Sequence, residues 1–203
     1  MPGLFIDTSD ELIVGLVSDD YKFLKQVNRG KIKTSKEIHK IIYDTLTEYD
    51  LVLDSIDFIF NISGPGSYTG MRVGEGISQL LEWQSVPTYS FNHFQIPYLL
   101  GEKEGVWISN AFKSEFFIYS WKGEECSMKL VNEKEIVNQL DLLIGKKSNI
   151  FCKKNEKVLE GIGYKNTSSL ITEKSEKLFS IIRKRNLRET PFYYRTAEKE
   201  FKV

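Results

Sequence analysis

Apolar positions change period several times along the first half of the chain. Short runs at about 3–8, 11–17 and 21–28 mix β-branched and aromatic residues and predict three strands. From about 34 to 48, Ile38, Ile41, Ile42, Leu46 and Tyr49 recur at helical spacing. A strand pattern returns at 57–63, a helix at 69–84 carries Val73, Ile77, Leu80 and Leu81, and a further strand spans 86–91. Gly101-Glu102-Lys103-Glu104-Gly105 reads as a surface connection, its glycines bracketing charges. After it, strands at 106–112, 114–122 and 126–131 and a helix at 133–144 restart the same order in shorter form. Two lobes are expected, 1–100 and 101–203, the second a reduced copy of the first.

The junction between the strand at 57–63 and the helix at 69–84 reads Asn61-Ile62-Ser63-Gly64-Pro65-Gly66-Ser67-Tyr68-Thr69-Gly70-Met71-Arg72-Val73-Gly74. Glycines allow a tight turn there, and the N–H groups opening the helix would suit a phosphate or carboxylate. A Walker loop ends in Gly-Lys-Ser/Thr, whereas Gly70 is followed by Met71; a dinucleotide fingerprint needs glycine where Thr69 stands. The segment resembles instead the Gly-Pro-Gly-Ser-Phe/Tyr-Thr-Gly-x-Arg-x-Gly signature of the bacterial TsaB family. Two other segments are similar to that family: Leu4-Phe5-Ile6-Asp7-Thr8-Ser9 near the start, and Pro191-Phe192-Tyr193-Tyr194-Arg195 near the end. At Thr34-Ser35-Lys36-Glu37-Ile38 the family's His-Ser-Glu is missing.

The resemblance implies an α/β, actin-like ATPase fold of the sugar kinase, Hsp70 and actin type, with two ribonuclease-H-like lobes; three strands in a meander followed by αβαβ agree. It also implies a non-catalytic dimerisation and activating subunit for threonylcarbamoyl modification of the adenosine next to the tRNA anticodon. Partners would be TsaD, as a heterodimer, and TsaE, with a homodimer when alone and tRNA held mainly through the complex.

Composition sets limits on that expectation. Of 203 residues 41% are hydrophobic, enough for one sizeable core or two small ones. No run of about 18 apolar residues suggests a membrane span, and Met1-Pro2-Gly3 leads straight into a strand without a signal-peptide pattern, so a cytoplasmic protein is expected. Cys126 and Cys152 read as reduced thiols. Lys and Arg total 28 against 28 Asp and Glu, and only 6 of the cations are Arg, which argues against a dedicated nucleic-acid binder. Lys146-Lys147, Lys153-Lys154 and Arg183-Lys184-Arg185 are the local basic clusters.

Asp7 has two readings. An aspartate ending the first strand of such a fold can hold nucleotide-bound magnesium; equally, Asp7-Thr8-Ser9 can simply begin a turn. A weak or vestigial nucleotide site would use Asp7, Thr8, Ser9, Gly64, Gly66, Ser67 and Thr69, with ATP or ADP and magnesium possible but no cofactor required. No catalytic or metal residue is expected. His39 falls within a helix pattern. Asn92-His93-Phe94-Gln95-Ile96-Pro97 resembles the Asn-His-x-x-x-His metal motif of the catalytic paralogue TsaD, but Pro97 replaces its second histidine. On the helix at 69–84, Gly70, Gly74, Ile77 and Leu81 share a face that serves either a partner helix or close packing on the chain's own sheet; the resemblance favours the partner. Arg72 in its first turn opposes the helix dipole and suggests an anion or partner carboxylate. Two rival functions are a sugar-kinase-like phosphotransferase using Asp7 and the Gly64–Gly70 loop, and a glycoprotease-like metallopeptidase.

Overall fold

A computed structural model describes residues 1–112, 114–145, 149–154 and 156–194. The chain parts into two compact units. The first comprises Met1–Asn92 with Lys174–Tyr193; the second comprises, among the described residues, His93–Glu173 with Tyr194. The break therefore falls after Asn92 rather than after residue 100, and a later segment returns to the first unit.

The first unit holds a five-stranded sheet of β1 (Gly3–Asp7), β2 (Ile13–Val17), β3 (Phe23–Asn28), β4 (Ile59–Ile62) and β5 (Thr88–Phe91), ordered β3-β2-β1-β4-β5. β1 pairs antiparallel with β2 and parallel with β4, and β4 pairs parallel with β5. Each parallel connection carries a helix, α1 (Thr34–Thr47) before β4 and α2 (Tyr68–Trp83) before β5, as parallel pairing requires. Side chains alternate across the sheet, so Leu4, Ile6, Val14, Leu16 and Ile59 join Ile38, Ile41 and Leu46 of α1 and Ile77 and Leu81 of α2 in one aliphatic core.

The opposite face is aromatic. Phe5, Phe23, Phe60 and Phe91 surround Phe179 of α6 (Ser175–Lys184), whose ring stacks on Phe60 at 4.3 Å between centroids and 11° between planes. Leu178, Phe179 and Ile182, spaced as one helical face, are fully buried. The residues after α6 extend the sheet by one parallel bridge, Ser90 to Arg188.

The second unit repeats the strand order: β6 (Glu104–Phe112), β7 (Glu115–Lys122), β8 (Glu125–Asn132), β9 (Ile150–Cys152) and β10 (Lys165–Asn166) run β10-β9-β6-β7-β8. Its α4 (Glu133–Gly145) follows β8 as α1 follows β3, and starts on a capping box. Asn132 Oδ1 accepts the N–H groups of Lys134 and Glu135, and Glu135 Oε2 accepts that of Asn132, each at 3.0 Å. The reduction lies between β9 and β10. There a 3₁₀ turn at Lys157–Leu159 stands where the first unit has the 16 residues of α2. Short helices α3 (Ile96–Leu99) and α5 (Thr167–Glu173) complete this unit. Among the described residues, no helix is long and apolar enough to cross a membrane.

Candidate functional site

β1 runs toward the Gly64–Gly70 junction and ends in Asp7, buried to 1% exposure. Its Oδ1 accepts the Ser9 N–H at 2.8 Å and the Ser9 hydroxyl at 2.6 Å, closing a turn of the kind Asp favours. The turn carries the strand end directly under the loop after β4. Ser67 N–H donates to Ser9 O, and a Cβ at Gly66 would stand only 1.8 Å from that same oxygen. One helical turn on, a Cβ at Gly70 would fall 2.0 Å from Thr8 O; at Gly74 it would meet Thr8 Oγ1 at 2.7 Å and Asn61 Oδ1 at 2.9 Å. Only glycine lets α2 approach the strand end this closely. Gly64 has a different reason, its φ of +117°. Ser67 caps α2 by accepting the Gly70 N–H on its hydroxyl at 3.2 Å, and Thr69 is exposed beside it.

The residues named for a nucleotide site, Asp7, Thr8, Ser9, Gly64, Gly66, Ser67 and Thr69, are thus brought to one place. Strand end and loop meet there in direct contact. Thr8 Oγ1 and both amide atoms of Asn61 are buried with no hydrogen-bond partner beneath the Gly74 turn, polar atoms enclosed by the close packing.

The expected partner stripe needs correction. Gly70, Gly74, Ile77 and Leu81 do share a face, but it is the inward one: Ile77 and Leu81 belong to the aliphatic core, and the two glycines rest on Thr8 and Asn61. The outward face of α2 carries Thr69, Arg72, Gly76, Leu80 and Trp83. Arg72 is exposed and lays its guanidinium 4.2 Å over the Tyr68 ring, which packs on Tyr193 at 4.6 Å. Trp83 is 90% exposed and Leu80 49%. Beside them opens an apolar groove of about 500 Å³, lined by Tyr43 and Leu46 of α1, Val52 and Leu53 after it, and Ile77 and Leu80 of α2. His39, exposed on α1, stands at its edge.

Other features resolve locally. Arg188 clamps the segment after α6 to α2, with Nη2 at 2.8 Å from Glu75 Oε1 and 3.2 Å from Glu82 Oε2; the Glu75 bond first, then Glu82, raises its pKa against the opposing effect of burial. Arg183 donates to the Tyr21 hydroxyl at 2.9 Å and lies over Phe58, so one member of that basic cluster is committed to the fold. Lys153 is buried. Lys146, Lys147 and Arg195 lie outside the described residues. His93 is fully buried, its Nδ1 3.3 Å from the Thr167 hydroxyl, which donates to Cys152 O at 3.1 Å. Among the described residues no group of three or more His, Cys, Asp or Glu is placed to hold a metal ion.

No family model matches the chain, and no curated protein matches it. Among solved structures it is similar to an uncharacterized Pseudomonas aeruginosa protein described as having similarity to peptidase YeaZ, with a TM-score of 0.62 and 14% identity over 96% of this chain and 99% of that one. It is also similar to a candidate N-acetylmannosamine kinase from Listeria monocytogenes, with a TM-score of 0.52 and 10% identity over 91% of this chain and all of the other. At these identities the likeness establishes the fold, an α/β architecture of the actin-like ATPase type.

Proposed function

We propose that this chain is a non-catalytic dimerisation and activating subunit in threonylcarbamoyl modification of the adenosine next to the tRNA anticodon, acting with TsaD and TsaE. One observation carries the reading: Asp7-Thr8-Ser9 and the Gly64–Gly74 signature, 55 residues apart between Ser9 and Gly64 (64 − 9 = 55), form one packed junction at the end of β1. That junction explains the signature as packing. Gly66, Gly70 and Gly74 admit α2 against the strand end and fix which face of the helix turns outward. The fold is consistent with it, since YeaZ is another name for TsaB and the Pseudomonas protein is described as similar to YeaZ.

The working surface in this reading is the exposed α1–α2 face, with Arg72, Gly76, Leu80, Trp83 and Tyr43. A subunit with such a face raises a partner's activity by binding its active conformation more tightly than its inactive one. The tRNA contact belongs mainly to the complex. ATP or ADP with magnesium is not required, and any affinity for it would sit at the Asp7 and Ser67 end of the junction.

The likeness to a candidate kinase favours phosphotransfer as the second reading. Against it, the Asp7 carboxylate is buried and its Oδ1 is engaged by Ser9 within the turn. Depleting the protein from cells and digesting their tRNA for mass spectrometry tests the first reading. Threonylcarbamoyladenosine should fall severalfold, and an unchanged level would refute the proposal.

A further inference from the structure

We propose that the open edge of β8, in the second unit, docks an extended segment of an unlike protein, which joins the sheet as a further strand. That segment carries apolar side chains at alternate positions and Lys or Arg at its ends. The site stands whether or not the partner-subunit reading does.

A strand at the border of a sheet leaves one row of N–H and C=O groups unpaired, and folded proteins cover, shorten or distort such borders. Among the described residues, three of the four borders of the two sheets are treated so. At β5 the chain after α6 covers the edge, Ser90 N–H donating to Leu187 O at 2.9 Å and Glu189 N–H to Ser90 O at 3.2 Å. β3 is bulged at Leu24, whose carbonyl accepts the Tyr49 hydroxyl at 2.9 Å. β10 is only 2 residues long. β8 has none of these devices. It is 8 residues long, against about 5–6 for an ordinary strand, contains no Pro, and pairs with β7 without a register shift.

The turn fixes which groups of β8 point outward. Gly123 and Glu124 join the strands as a two-residue hairpin loop, with the positive φ of +61° at Gly123 that a primed turn needs in its first position. Lys122 and Glu125, which flank it, therefore form a hydrogen-bonded pair, and alternate pairs beyond them do not. Cys126, Met128 and Leu130 thus turn both N–H and C=O away from β7. Asn132 continues the series, and its N–H is indeed taken on the far side by Glu135 Oε2. Among the described residues, no backbone group outside β7 pairs with Cys126, Met128 or Leu130.

Side chains and charges define what fits. Cys126, Met128 and Leu130 lie on one face, opposite Trp121, Tyr119 and Phe117 of β7, and are themselves exposed, Met128 to 49% and Leu130 to 39%. An added strand would set its own apolar residues beside them, on that face alone. Lysine commonly guards an edge, but Lys129 points to the α4 side and donates to Gln139 Oε1 at 2.8 Å. Glu124 and Glu125 are exposed at the turn end, where the neighbouring cation Lys122 is 3.9 Å from Glu104. At the other end Glu133 and Glu135 outweigh Lys134. Both ends are therefore acidic, which suits a segment with cationic ends and an apolar centre. Main-chain bonds give such docking its affinity, and the alternate side chains its specificity.

The test is fluorescence anisotropy of the dye-labelled peptide Lys-Lys-Val-Thr-Ile-Thr-Val-Lys-Lys as the full chain is added. Binding should be saturable, and should slow modification of the Cys126 thiol severalfold, since that side chain borders the added strand. Methylating the amide nitrogens of the Val and Ile residues removes the donors that face β8 and should weaken binding at least tenfold; methylating those of the Thr residues should leave it nearly unchanged. Met128→Pro removes an outward N–H where an edge strand tolerates proline, and should cost at least tenfold with an unchanged circular dichroism spectrum. Met128→Lys leaves the backbone intact and sets a cation against the basic peptide. It should weaken binding equally, so the test holds even if proline disturbs the strand. Undiminished binding of the peptide methylated at Val and Ile, undiminished binding to both variants, or no anisotropy change up to about 1 mM chain would overturn the proposal. A dimer of the chain alone that Met128→Pro disperses would make the occupant a second copy and overturn the unlike partner.

Discussion

Two glycines six residues apart on α2 should respond with opposite signs to the same substitution. At Gly70 an added Cβ would stand 2.0 Å from Thr8 O, against the 3.0 Å below which real Cβ contacts essentially never fall, so strand end and helix must separate by about 1 Å (3.0 − 2.0 = 1.0). The obstructing atom is a backbone carbonyl at the end of β1, which cannot swing aside as a side chain does. Overpacking of this kind costs about 1–3 kcal/mol, and the upper part of that range applies here. Alanine recovers about 1 kcal/mol of helix propensity, which leaves a net loss of about 2 kcal/mol for Gly70→Ala. At Gly76 no atom lies within 4 Å, so only the propensity gain remains and Gly76→Ala should stabilise by up to about 1 kcal/mol. Urea unfolding followed by circular dichroism should separate the two variants by about 3 kcal/mol. A Gly70→Ala protein as stable as wild type would refute the close junction, and a destabilised Gly76→Ala would refute the outward placement of that face.

Phe179→Ala should cost about 3–5 kcal/mol in the same measurement, because its ring fills the aromatic face of the first sheet; a loss under 1 kcal/mol would mean that α6 does not pack there. Burial pushes the Cys152 thiol up to about 12, with nearby Glu156 adding to the effect, whereas Cys126 is exposed. An aromatic disulfide reagent at pH 8 should therefore titrate about one thiol in the folded chain and two in urea. In the unfolded chain that thiol ionises near 9, so the unfolded state loses its proton first as pH rises. The Cys152 contribution is complete below about pH 9 and shrinks between about 9 and 12, so Cys152→Ala should flatten the alkaline loss of stability; an unchanged slope would contradict this.

What the sequence made legible follows from which interactions are local. β1, β2, α1 and α2 could be read because one face of each is aliphatic and its period is unbroken, as in Ile38, Ile41, Ile42 and Leu46; β3, β4 and β5 were read from their β-branched and aromatic residues. α6 was not read. Its buried face has only Leu178, Phe179 and Ile182 between charged residues, and its place over the first sheet is a contact across more than a hundred residues that no local period encodes. The β9–β10 strands are three and two residues long, too short to show alternation. On α2 the spacing of Gly70, Gly74, Ile77 and Leu81 identified a real face, but periodicity does not say whether a face turns inward. The deciding atoms, Thr8 O, Thr8 Oγ1 and Asn61 Oδ1, come from the end of β1, far away in sequence, and from the neighbouring strand β4, and no helical period encodes either contact. Trp83 carried a signal, since it falls outside that apolar pattern and an apolar residue out of phase on an amphipathic helix is a candidate for a contact beyond its own fold; Leu80 fits the helical spacing, and only the structure shows it half exposed.

The central claim is that this chain activates a modification it does not itself perform. Its most direct test is reconstitution from purified components: cognate TsaD and TsaE with threonylcarbamoyl-adenylate and tRNA, with and without this protein, followed by mass spectrometry of the digested tRNA. The account predicts modification well above background only when the protein is present, and none from the protein incubated alone with the same substrates. Equal modification with and without it, or modification by the protein on its own, would contradict the account.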